Sequence, residues 1–194
     1  MDIALVGPHG AGKTTCGQAL AARLGIAFAP EIGRLLSEDP AWRASDSDAT
    51  RPQLNFDREV LAREVQRDRQ AAAGQARVIE TWHPGNLAYI LARSPTLAPQ
   101  AWQAGLSAVQ RRPTALVVVD CDDTVLRRRQ SEPGEFAFFA RVGRDAQRCA
   151  TALALPLLGI VDGGAPLGPQ LDRLVALYRQ RWPEFLPGAL SATV

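Results

Sequence analysis

The segment Gly7-Pro8-His9-Gly10-Ala11-Gly12-Lys13-Thr14 constrains the fold more than any other part of the chain. It matches G-x-x-x-x-G-K-[ST] without a gap. The apolar run Asp2–Val6 before it reads as a buried parallel strand. Thr14–Leu24 after it reads as a helix, with Ala19, Leu20 and Leu24 inward and Gly25 as its stop. In that context glycines let the backbone curl into a nest of inward-facing N–H groups, and the helix adds the positive end of its dipole. Such a loop holds a polyphosphate, with Lys13 bridging the terminal phosphates and the Thr14 hydroxyl ligating Mg²⁺.

Lys13 is the only lysine, the other 21 of the 22 basic residues being arginine. Arginine thus serves every generic cationic role, and the exception falls where a compact ammonium must enter a tight loop. A net charge of +2 is too small to imply a nucleic-acid or membrane partner. No apolar run reaches the ~20 residues of a membrane helix, and the chain starts with a strand-like run rather than a signal core. Cys16, Cys121 and Cys149 are scattered, without metal or disulfide spacing. The expectation is a cytoplasmic protein.

Further strands are expected at Ile26–Ala29, Ala76–Ile79, Ala115–Val119 and Leu157–Val161. Helices are expected at Glu31–Glu38, Leu54–Ala73, Asn86–Arg93, Gln100–Gln110, Thr124–Arg129, Glu135–Leu153 and Leu171–Arg181. Asp39–Pro52 reads as a mobile loop, Gln130–Gly134 as a short lid, and residues 183–194 as a loosely packed tail after a single domain of residues 1–182. Alternating strands and helices predict a parallel sheet wrapped on both faces.

Gly7, Glu31, Glu80, Asp120 and Asp162 all fall at expected strand ends, where parallel α/β sheets place their chemistry. Glu31 is the candidate base for an acceptor hydroxyl, or else a carboxylate at a helix start. Glu80 is a candidate metal holder or second base, or else a member of a rim ion pair. Asp120 and Asp162 read as turn or cap residues. One or two of Arg127, Arg128 and Arg129 are expected to reach phosphate or adenine, with Arg141 and Arg144 completing a clamp. Trp82 and His83 are candidate walls of an acceptor pocket, Arg34 and Arg58 candidate acceptor cations, and Trp42 a possible cover. His9 either touches the transferring group or fills a variable slot.

With these residues in place, the chain resembles the thymidylate kinase-like group of P-loop kinases, which includes the deoxynucleoside kinases, over about Asp2 to Arg181. Five places carry the likeness: the loop through Thr15, Glu31, Glu80, Asp120 with Thr124–Arg129, and Phe138-Phe139-Ala140-Arg141 with Val161-Asp162-Gly163-Gly164. The segment Glu31-Ile32-Gly33-Arg34 is also similar to nucleoside kinases of the ribosylnicotinamide type. Thr81 stands where the group usually carries Arg, the lid is short, and Glu80-Thr81-Trp82-His83 replaces the Asp-Arg-Tyr block of thymidylate kinases. The resemblance implies a P-loop NTPase fold with a five-stranded parallel sheet in the order 2-3-1-4-5. It also implies ATP with Mg²⁺, and transfer to a small-molecule hydroxyl or phosphate, most readily of a nucleoside or nucleotide. A homodimer is compatible with it. The implied nucleotide-binding set is Pro8 to Thr15 with Arg128 and Gly163, and the catalytic set is Lys13, Glu31, Glu80, Arg127 and Arg141.

Other readings stay open: a shikimate- or gluconate-type kinase, an antibiotic phosphotransferase, or an ATP-binding or ATP-hydrolysing regulatory protein. A GTPase is excluded, because its Asn/Thr-Lys-x-Asp segment needs a second lysine.

Overall fold

A computed structural model describes residues 1–45, 52–72, 74–129 and 135–185. Its strands are β1 (Asp2–Val6), β2 (Ala27–Ala29), β3 (Arg77–Glu80), β4 (Thr114–Asp120) and β5 (Leu157–Asp162). They form a parallel sheet in the order β2-β3-β1-β4-β5, as expected. Parallel register brings every carboxyl end to one rim, so the segments after β1, β2 and β3 emerge side by side.

The helices are α1 (Lys13–Leu24), α2 (Ile32–Glu38), α3 (Pro40–Ser45), α4 (Pro52–Gln70), α5 (Trp82–Arg93), α6 (Ala98–Arg111), α7 (Asp123–Arg129), α8 (Phe136–Ala152) and α9 (Leu167–Arg181). Successive strand residues point to opposite faces, and both faces are covered. Ile3, Leu5, Val117 and Val119 pack with Leu20 of α1 and Leu171 and Tyr178 of α9. Ala4, Val6, Leu116 and Val118 face the other way, toward Leu87 and Ile90 of α5 and Ala146 of α8. Each such fully buried leucine or isoleucine stabilises the fold by about 1.5–3 kcal/mol.

The structure departs from expectation in three places. Pro40–Ser45, within the expected loop, is helical, while residues 46–51 lie outside the described residues, as does the lid at 130–134. α5 begins at Trp82 rather than Asn86, directly after the strand. Of the expected loose tail, Pro183–Phe185 forms a 3₁₀ turn whose Phe185 packs on the core, and the rest lies outside the described residues. No helix among the described residues is long and apolar enough to cross a membrane.

At the amino end of the sheet, Asp2 accepts hydrogen bonds from Arg77 and Arg112, and Arg77 also donates to Asp68 at 2.9 Å. This buried network ties α4 to β1 and β3 on the side away from the strand carboxyl ends.

Candidate active site

β1 ends in a loop that folds back on itself before α1. Gly10 and Gly12 hold φ values of 81° and 98°, left-handed conformations that a side chain would strain. The turn after β5 closes against this loop, where a Cβ on Gly163 would sit 1.8 Å from the Ala11 carbonyl oxygen. Gly163 thus belongs to the loop's packing. Lys13 is 7% exposed, and its ammonium donates to the Gly7 and Pro8 carbonyls at 3.1 and 2.9 Å. Burial pushes its pKa below the usual lysine value, while Glu31 and Glu80 pull it back up.

Thr14 donates its hydroxyl proton to Glu80 Oε1 at 2.6 Å. Arg34, on the first turn of α2, donates to Thr14 Oγ1 at 2.8 Å and to Glu80 Oε2 at 3.2 Å. Thr14 and Glu80 are thus adjacent hard oxygen donors at the mouth of the loop. No cluster of three or more metal-ligating His, Cys, Asp or Glu residues exists among the described residues. One or two protein oxygens, completed by phosphates and water, is how Mg²⁺ is usually held in phosphoryl-transfer sites. The donor set fits a nucleotide-borne Mg²⁺.

His9, Thr15, Glu31, Arg34 and Glu80 line one cavity of about 660 Å³ together with Lys13. Glu31 immediately precedes α2; its carbonyl accepts from the Leu35 amide, while its carboxylate has no hydrogen-bond or ion-pair partner among the described residues and acts on Lys13 through charge. His9 stacks on Phe139 of α8, with ring centroids 4.8 Å apart, and both face the cavity. Asp120 accepts from the Cys121 amide and Asp162 from the Gly164 amide, as turn residues do.

Several expected site residues lie elsewhere. Trp82 and His83 do not wall the cavity: they are 0% and 2% exposed, and both hydrogen-bond to Asp68 Oδ2, at 3.0 and 2.9 Å. The cause is backbone geometry. Thr81 and Trp82 hold φ of 69° and 46°, a strained turn that starts α5 at once and sends both rings inward. Burial alone would raise the Asp68 carboxyl, but His83, Arg77 and Trp82 hold it below the usual value.

Arg58 is exposed on α4, outside the cavity lining, as are Arg128 and Arg141 on α7 and α8. Arg127 stacks over the Phe136 ring at 3.7 Å and is not part of the cavity lining. The arginine that reaches the loop is Arg129, donating to the Gly10 carbonyl at 3.0 Å and the Gly163 carbonyl at 3.1 Å. It follows buried Leu126 by three residues and shares its helix face, which Arg127 and Arg128 do not.

The far end of the cavity was not foreseen. Phe56 and Asp57 come from α4, and Asn86, Tyr89 and Arg93 from α5. The α5 residues recur at steps of three and four, one helix face, and all three lie within the helix expected at Asn86–Arg93, so that spacing was readable in the sequence. Asp57 and Phe56 carried no such signal. The Arg93 guanidinium lies 4.7 Å from the Tyr89 ring centroid and 5.7 Å from that of Phe56. Burial raises the Tyr89 phenol well above its usual value, with Glu31 adding to the shift and Arg93 opposing it.

A family model described as an AAA domain matches residues 2–151. No curated protein matches the chain significantly. Among solved structures, deoxyadenosine kinase from M. mycoides with bound dCTP is similar with a TM-score of 0.62 at 13% identity, covering 93% of this chain and 100% of that one. Thymidylate kinase from Ehrlichia chaffeensis gives 0.60 at 15% identity, covering 93% and 97%. Shikimate kinase from Aquifex aeolicus gives 0.56 at 14% identity, again covering 93% and 97%. At such identities the likeness is one of fold, a P-loop fold that small-molecule kinases also use. The family model spans well over half of the 194 residues, and the chain belongs to the AAA domain family of P-loop proteins.

Proposed function

We propose that this chain is an ATP-dependent phosphotransferase that moves the γ-phosphoryl group of ATP-Mg²⁺ to a hydroxyl of a small, ring-bearing acceptor of the nucleoside kind. The observation that carries this reading is that one cavity is lined by the phosphate loop, by a Glu31 carboxylate with no hydrogen-bond or ion-pair partner among the described residues, and by an aromatic wall of Phe56 and Tyr89. Phosphoryl transfer asks mainly for positioning and charge neutralisation. Lys13, Arg129 and the α1 N-terminus supply positive charge to the phosphates, and Thr14 with Glu80 holds the metal.

Glu31 takes the role of base, or of orienter, for the acceptor hydroxyl. A carboxylate in this position, with its oxygens not hydrogen-bonded among the described residues, suits a group that has a proton to give. A phosphate acceptor would meet it as a like charge, which favours a hydroxyl over a phosphate. Arg34 lies between Glu80 and the acceptor side of the cavity and serves both.

The test is ADP release measured with ATP-Mg²⁺ against nucleosides, nucleoside monophosphates, shikimate, gluconate and aminoglycosides. Release that depends on a nucleoside is the expected result. Equal release with no acceptor would replace the proposal with a hydrolase, and ATP binding without release would replace it with a binding module.

A further inference from the structure

One guanidinium holds both oxygens that a divalent cation would need. Arg34 Nη1 donates to Thr14 Oγ1 at 2.8 Å and Nη2 to Glu80 Oε2 at 3.2 Å, while Thr14 donates to Glu80 Oε1 at 2.6 Å. The three side chains close a ring between α1, α2 and the end of β3. Glu80 is 3% exposed, whereas the Arg34 side chain is 36% exposed. The carboxylate is therefore fixed and the arginine is the part with room to move.

A hydroxyl that ligates Mg²⁺ does so at ~2.1 Å, which would put the metal roughly 4 Å from a guanidinium bonded to the same oxygen. At that separation two cations bound to one oxygen repel. Arg34 and the metal are thus alternatives on Thr14 and Glu80. α2 is only seven residues long, and Arg34 is its third residue, on the first turn and partly exposed. The other carboxylates lining the same cavity are Glu31 and Asp57, the latter already held by Arg93, and a nucleotide in the loop would add phosphate oxygens.

Building on the phosphotransferase reading, we infer that Arg34 is a displaceable counter-ion. It balances Glu80 until the nucleotide-borne cation takes Thr14 and Glu80, and its guanidinium then turns to the transferring phosphoryl group. Arg34 in this way couples metal entry to charge delivery. A permanent structural ion pair would give Arg34 no such competition with the metal.

The experiment is isothermal titration calorimetry of ADP into the full chain over a series of free Mg²⁺ concentrations, comparing the native chain with Arg34→Met and Arg34→Lys. For Arg34→Met, the Mg²⁺ concentration that half-saturates tight ADP binding should fall roughly two- to fivefold, the scale of one partly exposed ion pair removed as a competitor. ADP affinity in EDTA should not rise. Arg34→Lys, with a charge but no fork, should shift the midpoint the same way by less. A midpoint that is unchanged or raised in Arg34→Met, with ADP still bound, overturns this inference and leaves the nucleotide site standing. No heat of ADP binding to the folded native chain overturns both.

Discussion

Arg93 of α5 donates to the Asp57 carboxylate of α4 while lying across the Tyr89 ring. Asp57 also accepts from the Ser94 hydroxyl at 2.8 Å, so the guanidinium is held in one orientation at the end of the cavity away from the phosphate loop. A planar cation clamped between rings is suited to reading the edge of a planar acceptor. Arg93→Met is expected to raise the acceptor KM about tenfold, the scale of a lost charge-assisted hydrogen bond. Steady-state kinetics with the best acceptor, alongside ADP calorimetry, would check it. A KM that stays put while ADP affinity falls would place Arg93 at the nucleotide instead.

Lys13 gives a prediction with a sign. Its ammonium is buried, and burial holds its pKa below 10.5. A bound polyphosphate favours the charged form and raises that pKa again. Nucleotide binding should then take up protons on the alkaline side, and ADP affinity should fall as pH rises through the lowered value. Calorimetry in buffers of different ionisation enthalpy reads the proton uptake directly. Lys13→Met should abolish the uptake and weaken ADP binding by about a hundredfold, corresponding to loss of a buried charge-assisted contact.

The Glu31 carboxylate makes no hydrogen bond or ion pair among the described residues, so its loss should cost chemistry rather than folding. Glu31→Gln is expected to leave ADP binding and the melting temperature nearly unchanged. Acceptor-dependent kcat should fall by about 10²-fold, within the range of a lost general base. An unaltered kcat would move the base role to Glu80.

Asp68 should matter for stability alone. It accepts from Trp82, His83 and Arg77 inside the protein, away from the cavity. Asp68→Ala is expected to destabilise the fold by about 3–5 kcal/mol near neutral pH, because the buried donors lose their acceptor. The folded carboxyl lies below its usual 3.8, so its contribution is present above that value and lost as pH falls through the folded pKa. Urea unfolding at pH 7 and below pH 3.8 should show a large gap between native chain and variant that narrows in acid.

The phosphate loop and its lone lysine were legible from the sequence because the constraint is local. A nest of amides needs glycines at set positions, and the strand before it and helix after it are neighbours in the chain. The order and direction of the strands followed from alternation of β and α segments and from the resemblance. With the strands parallel, Glu31 and Glu80 had to reach one rim. Local spacing also held the clue to Arg129, three residues after an inward leucine.

Tertiary structure decided what local spacing does not encode. Trp82 and His83 turn inward because Asp68, on a different helix, sits where it can accept from both, and because the Thr81–Trp82 backbone is bent to allow it. Phe56, Asp57 and Arg93 meet only because α4 and α5 lie against each other. Arg34 finds Glu80 across 46 residues of chain. Side-chain direction within one helix follows from its period, but which partner waits at the far end depends on how helices cross. A single sequence read by pattern carries no direct measure of those crossings.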